Sequence, residues 1–494
     1  MDKLLDSEQV RTLDRYTIRE IGIPSPVLME RAALSCAEEL LKDADKDSRI
    51  LCICGTGNNG ADGIAIARIM YTKGYSASVY LAGSPTDLSA ENREQLGIAI
   101  RMGVHSVHDP VLKDYDILVD ALFGTGLNRK IDGDAAELIE QINGSGKYIL
   151  SVDIPSGISS TSGQILGTAV KADKTVTFGY EKLGTVLYPG TLYAGKVVVS
   201  DLGYPDNDDM YDSRPIYSVN DDDLASFAGL RDKSGNKGTF GKVLVIAGSR
   251  SICGAAYLAA KAAYNSGAGL VKIFTHEENR TAMQTLLPEA LLRCWDEESV
   301  SGLLFKELKW PDCVVLGPGL GTDETAYEIV RSVLRSYKKP LVIDADGLNV
   351  LKDQQDLLLE YTSDVIITPH VKEMSRLAGT ETEAVKAAPA DCALSYASKY
   401  NVCCVLKDAR TFIADPSGRI WLNRSGNDGM ATGGSGDVLA GVIGGLCAQG
   451  LGSIKSAVYG TYIHGRAGDA AAKFIGRYAM TASDIAECIG EVIK

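Results

Sequence analysis

The stretch Ser425–Leu446, SGNDGMATGGSGDVLAGVIGGL, combines a glycine-rich turn with an apolar segment of helical length. Gly433, Gly434 and Gly436 surround Ser435 directly before Asp437. The pattern predicts a turn followed by a helix whose first N–H groups are free to bind a phosphate. Asp437 then lies beside the bound anion, where a carboxylate can act as a general base. The stretch therefore predicts a phosphate-transfer site.

Apolar runs typical of buried strands precede this stretch, and each ends in a polar or glycine-rich turn. CVVLGPGLG ends at Gly321, and LVIDADG places Asp344 after the next strand. IITPHVKE puts His370 and Glu373 at a strand-to-helix turn, three residues apart. Lys407 precedes a predicted hairpin in VLKDARTFIADPSG. Because these elements accompany the glycine turn, they favour a catalytic site over a simple capped helix.

A second block with the same alternation lies nearer the N-terminus, between about residues 8 and 203. Its apolar runs include 49–54, 117–122 and 148–153, with helical patterns between them. Strands that alternate with helices predict a parallel, doubly wound sheet, so both blocks are predicted to be α/β. The two blocks cannot be aligned with each other as an internal repeat, which indicates a fusion of two different domains.

Three strand ends of the first block carry the polar residues of a predicted site. RILCICGTGNNGADG predicts a strand, a turn, and a helix that begins near Ala61 or Asp62. Asp120 and Asp153 follow two further strands, and Ser156 follows the second of them. Ligands of open α/β sheets bind beyond the carboxyl ends of the strands, so these turns are expected to converge. Oxygen ligands of this kind also suit a hard cation such as K⁺, Mg²⁺ or Ca²⁺.

Length and charge set the domain organisation and limit the partners. The chain has 494 residues and a formal net charge of −14, which argues against nucleic acid and anionic membranes as partners. Seven aspartates and one arginine lie within 206–223, a composition typical of a domain boundary. We predict a first domain over residues 1–215 and a second over residues 224–494.

The cysteines and the N-terminus indicate a reducing compartment. Most of the 11 cysteines lie in apolar runs, there is no CxxC pair, and the 5 histidines do not cluster with them. Buried free thiols are therefore expected, without a zinc site or a disulfide framework. The charged N-terminus has no signal-peptide pattern, which predicts a cytosolic protein.

The first block resembles the NAD(P)H-hydrate epimerase domain through NNGADG, VDALFGTGL and SVDIPSG, preceded by SEQVRTLDRY. The family pattern is NNGGDG, so Ala61 replaces a glycine. The resemblance implies K⁺ near Asn59, Asp120 and Ser156, Asp153 as the acid/base residue, and assistance from Lys182. It implies that hydrated nicotinamide nucleotide binds at Asn58, Asn59, Gly60, Ala61, Asp62, Gly124, Thr125, Gly126, Leu127, Asn128, Arg129, Lys130 and Asp153.

The second block resembles the ADP-dependent NAD(P)H-hydrate dehydratases, a ribokinase-like family, through GPGLG, TPHVKE and NDGMATGGSGD. Val371, Lys372 and Asp428 depart from the family pattern without removing a side chain of assigned role. The resemblance implies substrate contacts at Ala255, Gly321, His370 and Asp437, and Mg²⁺ with Glu373 as an indirect holder. It implies that ADP binds at Lys407, Asp408, Ala409, Arg410, Thr411, Asn427, Asp428, Gly429, Met430, Ala431, Thr432, Gly433, Gly434, Ser435 and Gly436.

Together the resemblances imply an N-terminal Rossmann-like domain followed by a ribokinase-like domain in one bifunctional enzyme. The first would interconvert the R and S forms of hydrated NADH or NADPH. The second would dehydrate the S form with ADP, giving NAD(P)H, AMP and phosphate. Two alternatives remain open from the residues: a ribokinase-fold small-molecule kinase fused to a nucleotide-binding module, and a first block that only binds or regulates. A homo-oligomer is expected, with 10–41 and 254–269 as candidate packing segments.

Overall fold

The computed structural model describes residues 1–228, 233–250 and 252–493. Two compact units result: Lys3–Pro215, and Ile216–Lys494 together with Met1–Asp2. The second predicted domain also includes residues 229–232, 251 and 494, which lie outside the described residues.

The first unit is built on a parallel sheet. Seven strands follow the order β4-β3-β2-β5-β6-β7-β9, and every neighbouring pair is parallel. Two short strands outside this sheet, β1 and β8, pair with each other in parallel. The strands are β1 Asp2–Leu5, β2 Arg49–Cys54, β3 Ser76–Leu81, β4 His105–Val107, β5 Ile117–Ala121, β6 Tyr148–Val152, β7 Lys174–Phe178, β8 Glu181–Lys182 and β9 Lys196–Ser200. The helices are α1 Ser7–Tyr16, α2 Ser25–Asp43, α3 Asn58–Thr72, α4 Ala90–Arg101, α5 Gly133–Gly144 and α6 Leu183–Val186, with a π-helical turn at Thr17–Ile21.

Both faces of this sheet are buried, as the continuous apolar strands predicted. In β2, Ile50, Cys52 and Cys54 pack in a core with α2 and α3. Leu51 and Ile53, which point to the other face, pack in a second core with α5. Since alternate residues of one strand are buried on opposite faces, the doubly wound arrangement is confirmed.

The second unit contains a larger, mostly parallel sheet. Its strands follow the order β13-β12-β11-β14-β15-β16-β17-β18-β19-β10. β18 is antiparallel to both β17 and β19, which confirms the predicted hairpin after Lys407. The strands are β10 Ile216–Ser218, β11 Lys242–Ile246, β12 Leu270–His276, β13 Leu291–Trp295, β14 Cys313–Leu316, β15 Leu341–Ile343, β16 Val365–Ile367, β17 Cys403–Leu406, β18 Thr411–Ala414 and β19 Ile420–Asn423.

Helices cover both faces of the second sheet. Val243 and Val245 of β11 pack in a core with α8, α17, α18 and α19, whereas Leu244 and Ile246 pack with α11, α12, α14 and α16. The helices are α7 Asp221–Ala228, α8 Gly254–Asn265, α9 Arg280–Leu286, α10 Val300–Glu307, α11 Glu324–Ser336, α12 Asp346–Leu351, α13 Asp356–Leu359, α14 Val371–Ala378, α15 Thr382–Ala387, α16 Pro389–Tyr400, α17 Ser435–Ala448, α18 Ser453–Ile475 and α19 Ala482–Val492.

The small residues of α8 serve packing inside the second unit. A Cβ placed on Gly441 of α17 would lie 2.2 Å from the carbonyl oxygen of Ala259, so the two helices approach too closely for a larger residue. The sequence analysis names this helix as a candidate packing segment for another chain. In the structure its small-residue face is instead buried against α17. None of the helices in the described ranges combines the length and apolar character needed to span a membrane.

Candidate functional sites

A cavity of about 610 Å³ opens in the first unit at the carboxyl ends of β2, β5 and β6. Within this sheet β2 comes first along the chain; β3 and β4 follow on one side of it, and β5, β6, β7 and β9 follow on the other. The boundary between β2 and β5 is therefore the topological switch point, where ligands of such sheets bind. Predicted site residues that line the cavity are Asn58, Asn59, Asp62, Gly124, Thr125, Gly126, Leu127, Asn128, Arg129, Asp153 and Lys182. Gly60 and Ala61 are instead buried beneath it, and Lys130 is exposed outside its lining.

The helix after the first glycine turn begins earlier than predicted. It starts at Asn58, whereas the sequence favoured Ala61 or Asp62. Gly57 precedes it and no side chain caps its first turn, so backbone N–H groups there remain available to an anion. Gly60 must be glycine because a Cβ would lie 1.9 Å from the carbonyl oxygen of Gly55. Ala61 lies within the helix, so its replacement of a glycine causes no backbone strain.

Asp120 is a buried carboxylate held entirely by uncharged donors of the first unit. Its Oδ1 accepts hydrogen bonds from Ser156 Oγ at 2.6 Å and Leu122 N at 3.3 Å. Its Oδ2 accepts from Ser151 Oγ at 2.7 Å and Ser156 N at 2.9 Å. Burial raises the pKa of Asp120, and the hydrogen bonds from Ser156 lower it. Nearby, the side-chain nitrogen of Asn59 is buried without a hydrogen-bond partner among the described residues.

Asp153 combines an ion pair with an unusual backbone conformation. Lys182 Nζ lies 2.5 Å from its Oδ1, and the Lys182 side chain is only 1% exposed. Lys182 also donates to the carbonyl oxygen of Phe178 at 2.9 Å. The φ angle of Asp153 is +68°, which strains a non-glycine residue and is often found at functional sites. The fold thus aims this carboxyl into the cavity at an energetic cost.

Two cavity residues, Asp14 and Tyr204, had no role assigned from the sequence. Tyr204 donates a hydrogen bond of 2.6 Å to Asp14 Oδ1. Burial raises the pKa of Asp14, although Tyr204 lowers it, and burial raises the pKa of Asp62 more strongly. Both residues lie far in sequence from Asp153, and neither has a spacing that marks it. Only the tertiary structure brings them to the same cavity.

The second site forms where the glycine-rich turn enters α17. Gly434 has a φ of +91°, and no side chain caps the first turn of the helix. Beside this turn, Lys407 Nζ donates to Asp344 Oδ1 at 2.7 Å. A Cβ on Gly436 would lie 3.2 Å from that same Nζ. A lysine, a buried carboxylate and free helix amides therefore meet at one point, an arrangement that suits a transferred phosphoryl group.

Further titratable residues of this site are Asp437 and the pair His370 and Glu373, which forms a capping box at the start of α14. Burial and the neighbouring Asp344 raise the pKa of Asp437 to about 7. His370 Nδ1 accepts from the Glu373 backbone N–H, and Glu373 Oε2 accepts from the His370 N–H at 2.9 Å. Burial raises the pKa of Glu373 to about 7 and lowers that of His370. A carboxyl that titrates near neutrality is well matched to general-base work.

The glycine turn after β14 supplies another wall. Gly321 N donates to Asp346 Oδ2 at 2.9 Å, and Gly319 approaches Ala255 so closely that its Cβ would lie 3.0 Å from that of Ala255. Ala345 lies between the two aspartates with φ +49° and ψ −120°, a conformation that alanine rarely adopts. Strain therefore accompanies both candidate sites.

Helix α18 supports the predicted nucleotide-binding loop at both ends, through residues that the sequence analysis had overlooked. Asp469 accepts from Gly426 N and Asn427 Nδ2, each at 3.0 Å. At the other end, His464 Nε2 lies 3.3 Å from Ser435 Oγ. The motif HGRAGD that carries them has two glycines three apart, and this spacing was the signal available in the sequence.

The other predicted nucleotide residues surround this loop. Lys407–Thr411 connect β17 to β18, and Arg410 donates to the backbone carbonyl of Arg424 at 3.2 Å. Met430 packs against α18, since a Cβ on Gly468 would lie 2.2 Å from its sulfur. Asp428 forms an ion pair with Arg477 at the surface.

Comparisons with known proteins agree with this two-part organisation. A family model described as NAD(P)H-hydrate dehydratase matches residues 243–491, and one described as YjeF-related protein N-terminus matches residues 25–184. Bifunctional NAD(P)H-hydrate repair enzymes from Thermofilum pendens and Moorella thermoacetica are each 36% identical, cover 100% and 99% of this chain, and are covered over 96% of their own lengths. A solved ribokinase-like superfamily protein from Enterococcus faecalis is 31% identical, with a TM-score of 0.51 over 56% of this chain and 95% of its own.

Fold and sites define a two-part α/β enzyme that acts on small molecules, with a ribokinase-like second unit. The chain belongs to the family of bifunctional NAD(P)H-hydrate repair enzymes. The family predicted from the motifs is thereby confirmed.

Proposed function

We propose that this chain repairs hydrated NADH and NADPH in two steps. Its first unit interconverts the R and S forms, and its second dehydrates the S form with ADP, giving NAD(P)H, AMP and phosphate. The observation that carries the second step is the position of Asp437, with a pKa near 7, at the uncapped start of α17. Ala255, Gly321 and His370 are proposed to contact the hydrated substrate, and the segments 407–411 and 427–436 to bind ADP.

Dehydration would begin with Asp437 removing the proton of the ring hydroxyl. The oxygen then attacks the β-phosphorus of ADP and AMP leaves, while the N–H groups at the start of α17 stabilise the charge of the transferred group. Phosphate departs as the carbon–oxygen bond breaks, and a proton leaves the neighbouring ring carbon. Lys407, oriented by Asp344, adds positive charge where the phosphates would lie.

Mg²⁺ would neutralise phosphate charge in this step. The described residues contain no cluster of three or more His, Cys, Asp or Glu side chains that would hold a metal alone. Magnesium usually binds through one or two carboxylates, waters and the substrate phosphates. Glu373 is the carboxyl that would hold it through water.

Epimerisation would use Asp153 as the acid/base group, with Lys182 stabilising its charge. The loops 58–62 and 124–130 would bind the nucleotide. K⁺ is proposed to lie beside Asn59, Asp120 and Ser156, because buried Asp120 is paired with uncharged donors alone and because carboxylate, amide and hydroxyl oxygens are ligands that suit a hard cation. The cation would compensate the charge of Asp120 and order the turns around the cavity.

Two assays test the proposal. With S-form hydrated NADH and ADP, we expect absorbance of reduced nicotinamide to appear together with equal AMP and phosphate. Asp437→Asn should lower this rate by about 100-fold or more. A stable phosphorylated alcohol without NADH would instead identify a small-molecule kinase.

The second assay tests epimerisation with the R form as substrate, under conditions in which dehydration is not rate-limiting. Asp153→Asn removes the acid/base group while retaining a side chain that tolerates positive φ. We expect R-form consumption to fall to the protein-free rate. Unchanged consumption would mean that the first unit only binds nucleotide.

We also propose a cytosolic location, consistent with the free cysteines. We further propose a homo-oligomer, which light scattering can test.

A further inference from the structure

We propose that Asp14, held by Tyr204, is a second proton-transfer residue of epimerisation, acting with Asp153. This inference rests on the proposed function of the first unit. Asp14 and Asp153 line one cavity of about 610 Å³ but come from separate elements, α1 and the end of β6. Each is paired differently: Asp153 with Lys182 at 2.5 Å, and Asp14 with the Tyr204 hydroxyl at 2.6 Å.

The stereochemistry of the reaction requires protons to move at two positions. In the R and S forms the hydroxyl lies on opposite faces of the ring. One carboxyl gives a proton to the departing hydroxyl, the carbon–oxygen bond breaks as water leaves, and the ring nitrogen forms a double bond to that carbon. Water then adds to the other face and gives its extra proton to the second carboxylate. Atoms and charge balance, and no redox partner is needed.

The two aspartates are held by different partners. Lys182 Nζ lies 2.5 Å from Asp153 Oδ1 and fixes the position of this carboxyl at the cavity. Asp14 lies among other carboxyls, and burial raises its pKa, so it retains a proton more readily. The Tyr204 hydroxyl fixes its orientation and offers an exchangeable proton. Running the reaction in reverse exchanges the two roles.

The experiment compares Asp14→Asn with the parent chain on purified R form, with epimerisation followed by chromatography without ADP. Asparagine keeps the shape of the side chain but cannot transfer the proton. We expect kcat to fall by about 100-fold or more while KM changes by less than about threefold. Tyr204→Phe should lower kcat by about tenfold. Glu8→Gln, an exposed carboxyl on the same helix, is the matched control and should match the parent.

Each result decides the proposal. A higher KM with unchanged kcat would make Asp14 a substrate-binding residue and overturn it, as would an Asp14→Asn kcat within about threefold of the parent. In H₂¹⁸O the parent should place one ¹⁸O in each epimerised molecule; its absence would overturn the step as written. Unchanged thermal unfolding of Asp14→Asn separates catalysis from folding. Failure of the parent itself to epimerise would contradict the proposed function, a distinguishable outcome.

Discussion

Lys407 Nζ lies 2.7 Å from Oδ1 of Asp344, whose side chain is 1% exposed. Lys407 follows β17 and Asp344 follows β15, so the pair bridges two strand ends on either side of β16. Burial alone would lower the pKa of Lys407, but Asp344 and Glu373 raise it and keep the lysine charged. The pair therefore maintains a cation beside the start of α17.

Asp344→Asn should destabilise the second unit by about 3–5 kcal/mol, because Lys407 would lose its buried carboxylate partner. Chemical denaturation followed by circular dichroism measures the loss. Glu277→Gln breaks the exposed Arg280–Glu277 pair and should leave the denaturation midpoint close to that of the parent, because solvent screens exposed ion pairs. Equal effects of the two variants would contradict the structural role of Lys407–Asp344.

Dehydration should depend on the ionised form of Asp437, whose pKa burial and Asp344 raise to about 7. Since the base must be deprotonated, kcat/KM should fall about tenfold for each pH unit below 7 and level off above it. A profile measured from pH 5 to 9 checks this. Glu373 has a similar pKa, so Glu373→Gln is the comparison. It should retain the acid limb, moved slightly to lower pH; loss of the limb would assign it to Glu373.

Ala345→Gly should stabilise the second unit. With φ +49° and ψ −120°, Ala345 occupies a conformation that glycine adopts freely, and its side chain is not fully buried. Relief of strain outweighs the added flexibility of the unfolded chain, and we expect a gain of about 1 kcal/mol. A lower denaturation midpoint would show that the strain is absent.

Gly465→Ala should impair dehydration and leave epimerisation unchanged. Its Cβ would lie 2.1 Å from Ser425 Oγ and 2.7 Å from the Ser425 backbone, so the nucleotide loop must shift. Overpacking of this kind costs about 1–3 kcal/mol. Gly490→Ala is the matched helical control, because nothing lies within 4 Å of its added Cβ. Similar dehydratase rates in both variants would argue against a precise fit of the loop on α18.

Stability of the second unit should fall in acid because of His464. Burial lowers its pKa from 6.5 to about 4, so the unfolded chain binds a proton first as the pH falls. The stabilisation is complete above pH 6.5 and is lost progressively toward pH 4, by roughly 2–3 kcal/mol. The measurement compares the parent with His464→Gln at several pH values. A constant difference in unfolding free energy would refute the assignment.

Much of each site could be predicted because its residues lie in short contiguous motifs. The turns around Asn59, Asp120 and Asp153 each follow an apolar strand, and parallel strands bring their carboxyl ends to one edge. Helix bounds were less accurate: α3 begins at Asn58, before the predicted start, because Gly57 and the asparagines enter the helix without a side-chain cap. Local pattern does not determine which of several polar residues begins a helix.

The sequence by itself determined the alternation of strands and helices, the two-part organisation and the positions of the glycine-rich turns, because hydrophobic period and glycine placement act over a few residues. Only the tertiary structure decided that Asp14 and Tyr204 share a cavity with Asp153, that Asp344 pairs with Lys407, and that His464 and Asp469 contact the loop before α17. These contacts join residues distant in the chain, and their spacing carries no periodic signal. Packing of the elements alone brings them together.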